Sequence, residues 1–272
     1  MENKELKISV VGAGAMGSAI VRGLVNAALT EPRNLIVFDV DSEKSRSLKM
    51  EFGVHATESI EKAVPDENSV VVLAVKPQHM EDVLASLASS ILTGTLVISI
   101  AAGISTEFIL SKIGPDRRVI RAMPNAAAMV GQSSTAICPG GVADAGDLKT
   151  AKKLFESIGI VVEVDEKNLN AVTALSGSGP GYLFLIMEAM TDAGVLMGLS
   201  RFIARQLTVQ TFLGAASMAS HGKSFSDLKD LITSPGGTTI SGLKIMELAG
   251  VRGIFMEAVE NAALRAEKIS GS

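Results

Sequence analysis

The sequence predicts an α/β fold in which a doubly wound parallel sheet precedes an all-helical domain. In the first half of the 272 residues, short runs rich in Val and Ile alternate with segments of helical length and period, as in repeated strand–helix–strand units. Most of these runs are apolar throughout, which is typical of parallel strands covered on both faces. From Asp165 onward no strand pattern appears. We therefore expect a sheet domain at 1–164 and a helical domain at 165–272.

The expected elements can be placed along the chain from their apolar runs and periods. Strands are expected at 7–11, 35–39, 55–56, 69–75, 95–100, 119–122, 134–137 and 160–164. The expected helices of the sheet domain are 15–29, 42–52, 78–89, 106–113 and 144–157. Those of the helical domain are 169–175, 182–199, 201–221, 227–232, 239–248 and 251–269.

Composition limits the class of protein and its surroundings. The net charge is −4 and the basic residues form no patch, so nucleic acid is not an expected partner. Cys138 is the one cysteine, which excludes an internal disulfide and is typical of the reducing cytoplasm; its simplest role is that of a small buried residue. The N-terminus lacks the features of a signal peptide, and no run of about 18 uncharged apolar residues exists, so no membrane segment is expected.

The segment 182–199 predicts association with a second copy of the chain. It is apolar almost all round, and a helix of that kind must be buried on every side. A domain of only about 105 residues can hardly achieve this alone. We expect intertwined packing with a second subunit, in which Met187, Met190 and Met197 fill the core rather than bind a metal or cofactor.

A glycine-rich loop follows the first expected strand and opens the first expected helix. It matches the G-x-G-x-x-G fingerprint with Gly12, Ala13, Gly14, Ala15, Met16 and Gly17. In that fingerprint the first glycine permits a tight turn, the second lets the backbone approach a pyrophosphate, and the third lets helix and strand pack closely. The loop lies between a strand and a helix, as the fingerprint requires, so we expect a Rossmann domain that binds NAD(P)H.

Asp39 ends the second expected strand about 20 residues past this loop, where an acid holds the ribose 2′-hydroxyl of NAD. The same charge would repel the 2′-phosphate of NADP, and Asp41 adds a second negative charge beside Lys44. Two unit charges about 4 Å apart repel by about 4 kcal/mol at an effective dielectric constant of 20, and by less when solvent screens them. The sequence therefore favours NADH over NADPH; a solvated turn aspartate is the alternative.

Further cofactor contacts are expected where the parallel strands end, since ligands collect at the carboxyl edge of open α/β sheets. The first group of candidates follows strand 69–75 and consists of Ala74, Val75, Lys76 and Pro77. The small residues Ala101 and Ala102 would let a nicotinamide ring come close, and Asn125 could hydrogen-bond near it. For each of these, ordinary loop structure is the alternative.

The sequence SPGGTT, which starts at Ser234, predicts a pocket for a small carboxylate. Pro235 suits the first position of a helix, which makes Ser234 the expected N-cap. The two glycines leave the first N–H groups uncovered, and such a helix end binds anions through those groups and its positive dipole. Gly237, Thr238 and Thr239 would complete the pocket. A capped turn without a ligand is the alternative.

Chemistry that the sequence lacks narrows the reaction. The three histidines are scattered without metal-ligand spacing, and no metal site is expected. Neither a G-x-S-x-G elbow nor a Walker P-loop is present. A dehydrogenase that acts on an alcohol usually needs a strong acid–base residue. An imine can be protonated before hydride arrives, so positioning the ring and its carboxylate suffices.

Together these motifs resemble the pyrroline-5-carboxylate reductase family of proline biosynthesis over residues 7–268. The resemblance rests on GAGAMG at 12–17, AVKP at 74–77, AAG at 101–103, RAMPN at 121–125, LSGSGP at 175–180 and SPGGTT at 234–239. The first motif is generic, whereas the last two are specific in this order and spacing. Two residues depart from the family pattern: Gly181 stands where alanine is more usual, and an acid such as Asp39 is less general in a family with many NADPH-dependent members.

The resemblance implies a Rossmann domain and a helical domain that interlocks into a homodimer, with dimers assembling into larger homo-oligomers. It also implies hydride transfer from NAD(P)H to the C=N carbon of 1-pyrroline-5-carboxylate, which gives L-proline. Ser234 and the N–H groups of Gly237 and Thr238 would hold the substrate carboxylate. The hydroxyl of Thr239, the implied catalytic residue, would meet the ring nitrogen. In this family the turn faces the nicotinamide of a neighbouring chain.

Three alternatives stay open from the residues alone. A 2-hydroxy- or 3-hydroxyacid dehydrogenase would join the same two domains but supply a lysine or histidine near the nicotinamide. Another cyclic-imine reductase would keep the carboxylate pocket and change the size of the ring. A non-catalytic sensor would bind a dinucleotide and regulate a partner, but it would not need a second, carboxylate-shaped site.

Overall fold

The computed structural model describes residues 6–64 and 66–270, so the ends of the two expected domains, 1–5 and 271–272, lie outside the described residues. The described strands are β1 Ile8–Val11, β2 Leu35–Phe38, β3 His55–Ala56, β4 Val70–Leu73, β5 Leu96–Ser99, β6 Arg118–Met123, β7 Ser133–Gly141 and β8 Gly159–Glu163. The described α-helices are α1 Ala15–Asn26, α2 Ser42–Phe52, α3 Met80–Leu87, α4 Thr106–Ile113, α5 Ala145–Glu156, α6 Leu169–Val172, α7 Gly179–Leu196, α8 Arg201–Ala219, α9 Phe225–Leu231, α10 Thr238–Leu248 and α11 Val251–Ser270.

All eight described strands form one sheet in the order β3-β2-β1-β4-β5-β6-β7-β8. Neighbouring strands are parallel throughout, except that β6 and β7 are antiparallel. From β1 the chain first builds outward to β3 and then returns to add β4 on the other side. Such a reversal of strand order leaves a crevice beyond the carboxyl ends of β1 and β4, where ligands bind. The doubly wound α/β fold that the sequence predicts is confirmed.

Helices cover both faces of this sheet, which explains why its strands are apolar throughout. Strands β1, β4 and β5 are buried at every position. On one face α1 and α5 contribute Ile20, Leu24 and Phe155 to the core. On the other, α3 and α4 contribute Leu84 and Ile109. Each large apolar side chain removed from water in this way stabilises the fold by about 1.5–3 kcal/mol.

Strand β7 extends beyond the expected strand 134–137. The residues Cys-Pro-Gly-Gly after Ile137 resemble a turn in the sequence but continue the strand to Gly141. Its antiparallel pairing with β6 continues to Gly141, and Pro139 lies opposite Ile120. On the other side β8 pairs with β7 only as far as Ile137. Pro139 therefore occupies a stretch of β7 that is paired on one side, a position at which a strand tolerates a residue without an N–H group.

The chain divides into two compact units. The helical unit comprises Gly179 to Asn261, and the sheet unit comprises the residues up to Ser178 together with those from Ala262 onward. The domain boundary that the sequence places near Asp165 stays a prediction.

The helical unit contains α7 to α10 and the first part of α11. Helices α7 and α8 approach closely, since a methyl group at Gly194 would lie 2.9 Å from the Cβ of Ala204. Most large apolar side chains of α7 are nevertheless exposed; Leu185, for example, is 68% exposed. Among the described residues of this unit, Ala204 is the single hydrophobic residue that is fully buried. One chain therefore leaves this unit without a closed apolar core.

Several expected helices of the helical region differ in detail, and the two largest differences involve α6 and α7. The helix expected at 169–175 is α6 followed by one turn of π-helix, Thr173–Gly177. The helix expected from Tyr182 begins earlier, at Gly179. Pro180 thus lies in the first turn of α7, where the absence of its N–H group breaks no intrahelical hydrogen bond.

Candidate cofactor and substrate sites

The glycine loop connects β1 to α1 with the close backbone packing that the fingerprint requires. Gly12 has φ +104°, and a methyl group there would lie 2.5 Å from the carbonyl oxygen of Ala74. A methyl group at Gly17 would overlap the carbonyl oxygen of Gly12. Glycine is therefore required at both positions, at Gly12 by backbone conformation and at Gly17 by the packing of α1 against β1.

The middle of the loop is open where a phosphate would approach. A methyl group at Gly14 would meet nothing within 4 Å, and both Gly14 and Ala15 are exposed. Gly14 is the N-cap of α1 and gives it no side-chain cap. No residue that the structure describes accepts a hydrogen bond from the N–H groups of Ala15 and Met16. These groups and the positive end of the helix dipole remain available for an anion.

Asp39 follows β2 and binds the backbone of the glycine loop. One of its carboxylate oxygens accepts a hydrogen bond from the Ala13 N–H at 2.6 Å, and the other accepts one from the Asp41 N–H at 2.9 Å. A carboxylate offers about four acceptor positions, so these two bonds leave capacity for a ribose hydroxyl. The bond to Ala13 gives Asp39 a second role that the sequence does not predict, because it ties the glycine loop to the end of β2.

The four candidates after β4 lie beside the glycine loop. The N–H of Ala74 donates to the carbonyl oxygen of Val11 at 2.8 Å, which continues the β1–β4 pairing into the loop. Val75 and Pro77 are partly exposed, and Lys76 is exposed. The structure therefore places these candidates at the crevice, as expected from their position after a parallel strand.

The two alanines after β5 lie at the same edge of the sheet. Ala101 is buried, and its N–H donates to the hydroxyl of Ser99 at 3.3 Å. Ala102 and Gly103 are partly exposed. This turn, 101–103, therefore offers a small, partly open surface that a planar ring could approach.

The side chain of Asn125 connects three segments of the sheet unit: the short helical segment 126–130, the start of β7 and the π-helical turn 173–177. Its Oδ1 accepts hydrogen bonds from the N–H groups of Ala127 at 3.2 Å and Ser134 at 3.4 Å. Its Nδ2 donates to the carbonyl oxygen of Ser176 at 3.0 Å. These contacts favour the alternative role of loop organisation, and direct contact of Asn125 with the cofactor stays a prediction.

The expected start of the anion-binding helix at Pro235 is wrong. Helix α10 begins at Thr238, and its N-cap is Gly237 rather than Ser234. Pro235 and Gly236 instead form the centre of a β-turn, closed by a hydrogen bond from the Gly237 N–H to the carbonyl oxygen of Ser234 at 3.0 Å. Gly236 has φ +69°, as the second central residue of a type II turn requires, and the fixed φ of proline suits the first.

Despite this correction, the N-terminus of α10 is open to an anion. The hydroxyl of Ser234 occupies the space that a Cβ of Gly237 would take, so it lies against the helix end without capping it. Within the described ranges, nothing accepts a hydrogen bond from the N–H groups of Thr238 and Thr239. Ser234 and Thr238 are exposed, and Thr239 is half-buried. Hydroxyl and backbone donors on one turn, at the positive end of a helix, suit a small carboxylate.

One cluster in the sheet unit was missed by reasoning from the sequence. The carboxylate of Glu166 accepts hydrogen bonds from the N–H of Thr106 at 2.8 Å and from its hydroxyl at 2.6 Å. Arg121, whose side chain is 7% exposed, donates to the same carboxylate at 3.0 Å. No local motif predicts these contacts, since the three residues come from separate loops and strands. Glu166 and Arg121 thus form a partly buried ion pair in the sheet unit.

Hydrogen bonds from Thr106 and Arg121 favour the charged form of the Glu166 carboxylate. Burial alone would raise the pKa of Glu166, but the hydrogen bonds from Thr106 and the charge of Arg121 outweigh it and hold the pKa below its usual value. Burial, with a smaller contribution from the Glu166 charge, raises the pKa of the nearby Cys138 thiol to about 11. Cys138 is therefore a neutral, buried residue, which confirms its simplest interpretation from the sequence.

The sheet unit fits a dinucleotide by its own geometry. The glycine loop leaves free N–H groups at a helix N-terminus, and the lack of a Cβ at Gly14 leaves room for a pyrophosphate beside them. The fold and these sites define a Rossmann-type dinucleotide-binding protein that carries, in its helical unit, a separate turn suited to a carboxylate.

Comparison with known proteins identifies the family. Residues 166–269 match the family described as pyrroline-5-carboxylate reductase dimerisation, and residues 7–103 match the family described as NADP oxidoreductase, coenzyme F420-dependent. A pyrroline-5-carboxylate reductase from Methanosarcina acetivorans is 41% identical over 270 residues, covering 99% of each chain. This chain belongs to the pyrroline-5-carboxylate reductase family.

Solved structures agree with this assignment over the full length. The structure of a pyrroline-5-carboxylate reductase from Coxiella burnetii is 36% identical with a TM-score of 0.93, covering 98% of this chain and 99% of that one. A pyrroline carboxylate reductase from Plasmodium falciparum, solved with NADP bound, is 31% identical with a TM-score of 0.85, covering 98% and 99%. In the described part of this chain, no helix is long and apolar enough to cross a membrane.

Proposed function

We propose that this chain reduces 1-pyrroline-5-carboxylate to L-proline with a reduced nicotinamide cofactor. The observation that carries the proposal is the open N-terminus of α10, with hydroxyl donors beside free N–H groups, in a member of this family. The match to an NADP oxidoreductase family and the NADP-bound relative support the class of cofactor.

The substrate would bind through its carboxylate at the turn before α10. The hydroxyl of Ser234 and the N–H group of Thr238 would hold the two carboxylate oxygens. The N–H of Gly237, which the resemblance implies as a third donor, instead donates to the carbonyl oxygen of Ser234 at 3.0 Å. Binding there places the charge of the substrate at the positive end of the helix dipole. The structure supports these two contacts, because Ser234 is exposed and the N–H of Thr238 has no protein partner in the described chain.

The chemistry requires a protonated ring nitrogen and an oriented ring. A reduced nicotinamide supplies hydride, whose two electrons form the new C–H bond at the C=N carbon. The π electrons of the C=N bond then remain on the ring nitrogen, which has already taken a proton. The hydroxyl of Thr239, one residue into α10, would hold that nitrogen by a hydrogen bond. Because the protonated nitrogen has no free lone pair, its N–H donates this hydrogen bond and the Thr239 hydroxyl accepts it. An acceptor that is fixed before the reaction orients the ring without reorganisation.

We propose that NADH is preferred to NADPH, because Asp39 would meet a 2′-phosphate with negative charge. Its carboxylate lies at the loop, held by Ala13, and the carboxylate of Asp41 follows two residues later. Asp41 is paired at 3.4 Å with Lys44, which reduces the positive charge available to a phosphate.

We also propose that the chain works as a homodimer that assembles further, in the cytoplasm. The match to a dimerisation family and the exposed apolar side chains of the helical unit support the dimer. The lone buried cysteine suits a reducing compartment. Contact between the turn at Ser234 and the nicotinamide of a neighbouring chain stays a prediction.

The direct test follows NADH and NADPH oxidation separately, with 1-pyrroline-5-carboxylate and with a six-membered cyclic imine carboxylate. We expect turnover of the five-membered ring with a larger kcat/KM for NADH. Oxidation of NADH or NADPH that requires an oxo acid instead of an imine, or no oxidation with either imine, would contradict the proposal. Because the chain has no tryptophan, the fluorescence of bound NADH measures cofactor affinity in the same samples.

A further inference from the structure

The turn 101–103, which would border the nicotinamide, is followed by a helix whose start is held from a distant part of the chain. Helix α4 begins at Thr106, and its own N-cap Ser105 accepts a hydrogen bond from the N–H of Phe108 at 3.1 Å. The first N–H of the helix, that of Thr106, instead donates to Glu166 at 2.8 Å. Thr106 and Glu166 are 60 residues apart in sequence.

Contacts with Glu166 and Gly140 hold Thr106 from two sides, and we call them the clamp on Thr106. Glu166 binds its N–H and its hydroxyl with different carboxylate oxygens. On the other side, a methyl group at Gly140 would lie 2.5 Å from the Cβ of Thr106, so β7 packs directly against this residue. Thr106 therefore has little freedom to move in either direction.

Arg121 fixes the Glu166 carboxylate in turn. Its buried guanidinium, on β6, donates to the carboxylate oxygen that also accepts from the Thr106 N–H. A buried cation needs a partner, since an uncompensated buried charge is strongly destabilising. The need to neutralise Arg121 thus keeps Glu166 charged and in place for Thr106.

The position of the turn follows from its two ends. At one end Ala101 is buried and bonded to Ser99, and at the other Thr106 is clamped by Glu166. Only the residues 102–105 lie between these fixed points, so a shift of Thr106 moves the turn. We propose that Glu166 is a positioning residue for the reaction, which sets the place of the turn 101–103 and thereby of the nicotinamide ring. This inference rests on the proposed function.

The test compares Glu166→Gln with Asp165→Asn, which removes the neighbouring carboxylate, a side chain 73% exposed and paired with Lys167. Misplacing a reacting group by a fraction of an ångström reduces the rate strongly, so we expect kcat of Glu166→Gln to fall about tenfold. The KM for the imine, which binds at another turn, should stay that of the parent. The primary isotope effect with 4-deuterated NADH should rise, because hydride transfer becomes slower relative to product release.

A second pair of variants distinguishes a positioning role of Glu166 from a folding defect of Glu166→Gln. Thr106→Val loses the hydroxyl that donates to Glu166 and should show the same fall in kcat and rise in isotope effect, whereas Thr106→Ser keeps the hydroxyl and should resemble the parent. Amide hydrogen exchange in the cofactor-free protein gives a readout independent of turnover. We expect the Thr106 amide to exchange faster in Glu166→Gln than in Asp165→Asn.

Each outcome separates this inference from the proposed function. A parent protein that does not reduce 1-pyrroline-5-carboxylate contradicts the proposed function. An active parent whose Glu166→Gln and Thr106→Val variants keep its kcat and isotope effect contradicts the positioning role alone. A lower Tm with unchanged kinetics would do the same, since it would make the clamp purely structural.

Discussion

The sheet unit and the helical unit of this chain reach burial in different ways. In the sheet unit, helices of the same chain cover both faces, and strands such as β1 and β4 are buried at every position. In the helical unit, the described residues leave a single hydrophobic residue, Ala204, fully buried. The two units also carry different sites, the glycine loop in one and the carboxylate turn in the other.

The two units differ in whether one chain can bury their apolar side chains. In the sheet unit, helices of the same chain cover the core, so one chain is enough to support the glycine loop. The helical unit exposes Phe184, Leu185 and Leu196 by 65%, 68% and 85% of their surface, and a patch of this kind marks a protein interface. The turn 234–237, for which we propose carboxylate binding, therefore lies in the unit that exposes this apolar patch.

A charge on the exposed apolar face of α7 should disrupt the association of the helical unit. Leu185→Asp places a carboxylate where we expect a partner chain, and an unpaired charge in a buried interface costs about 3–5 kcal/mol. We expect the dimer to dissociate at micromolar concentration and turnover to be lost. Light scattering coupled to size exclusion gives the mass.

The sheet unit offers a matched control. Met50 on α2 is 88% exposed, and Met50→Asp introduces the same charge without a partner to displace. We expect an unchanged mass and turnover. A Leu185→Asp protein that stays fully dimeric would show that this face of α7 is not covered by another chain.

The Thr239→Val variant separates the chemistry of the helical unit from cofactor binding in the sheet unit. It keeps the shape of the side chain but removes the hydroxyl that would meet the ring nitrogen. Loss of one such hydrogen-bonding group should cost about 2–4 kcal/mol in turnover. NADH affinity, measured by fluorescence, should not change.

Thr233→Val is the control for this change, because the Thr233 hydroxyl already donates to the carbonyl oxygen of Lys229 at 2.7 Å. It should keep the parent kcat. Equal kinetics of parent and Thr239→Val would remove Thr239 from the mechanism. Ser234→Ala should mainly raise the KM for the imine, as expected for binding that is equal in ground and transition states.

Most of the fold could be predicted from the sequence because its signals are local. Continuous apolar runs predict buried parallel strands, and the helices α2 and α4 begin and end where their periods predict. The N-cap of α10 could not be placed correctly, since Pro235 suits both a first helical position and a type II turn. The positive φ of Gly236, which decides between them, is invisible in the sequence.

The same difference between local and distant signals separates the parts of the sites that could be predicted from those that could not. The glycine loop and the carboxylate turn are contiguous motifs, so their open N–H groups could be anticipated. The clamp on Thr106 joins Glu166 and Arg121 across separate elements, and no spacing rule connects them. The same holds for the bond from Ala13 to Asp39, which only the folded chain reveals.

Asp39→Asn should change the cofactor selection of the sheet unit. Asparagine keeps an acceptor for the Ala13 N–H but removes the charge that would repel a 2′-phosphate. We expect the ratio of NADH to NADPH kcat/KM to fall about tenfold, which is about 1.4 kcal/mol. The KM for the imine should not change.

Asp39→Ser tests the second role of the same side chain. Serine is too short to keep the bond that Asp39 makes to Ala13 at 2.6 Å, so affinity should fall for both cofactors while the preference narrows. If the parent uses both cofactors equally, or if Asp39→Asn keeps the parent ratio, Asp39 does not select between them.

The smallest effect concerns the acid stability of the sheet unit. Because the pKa of Glu166 lies below its ordinary value of 4.5 in the folded protein, its charge stabilises the fold above that pH, and this stabilisation is lost as the pH falls through the folded pKa. We expect Glu166→Gln to have a lower Tm than the parent near neutral pH and the difference to close below pH 4.5. The pH-dependent part should not exceed about 1 kcal/mol, since the carboxylate is partly exposed. Thermal unfolding of both proteins across this range measures it, and a difference in Tm that stays constant at every pH would show that Glu166 acts through packing rather than through its charge.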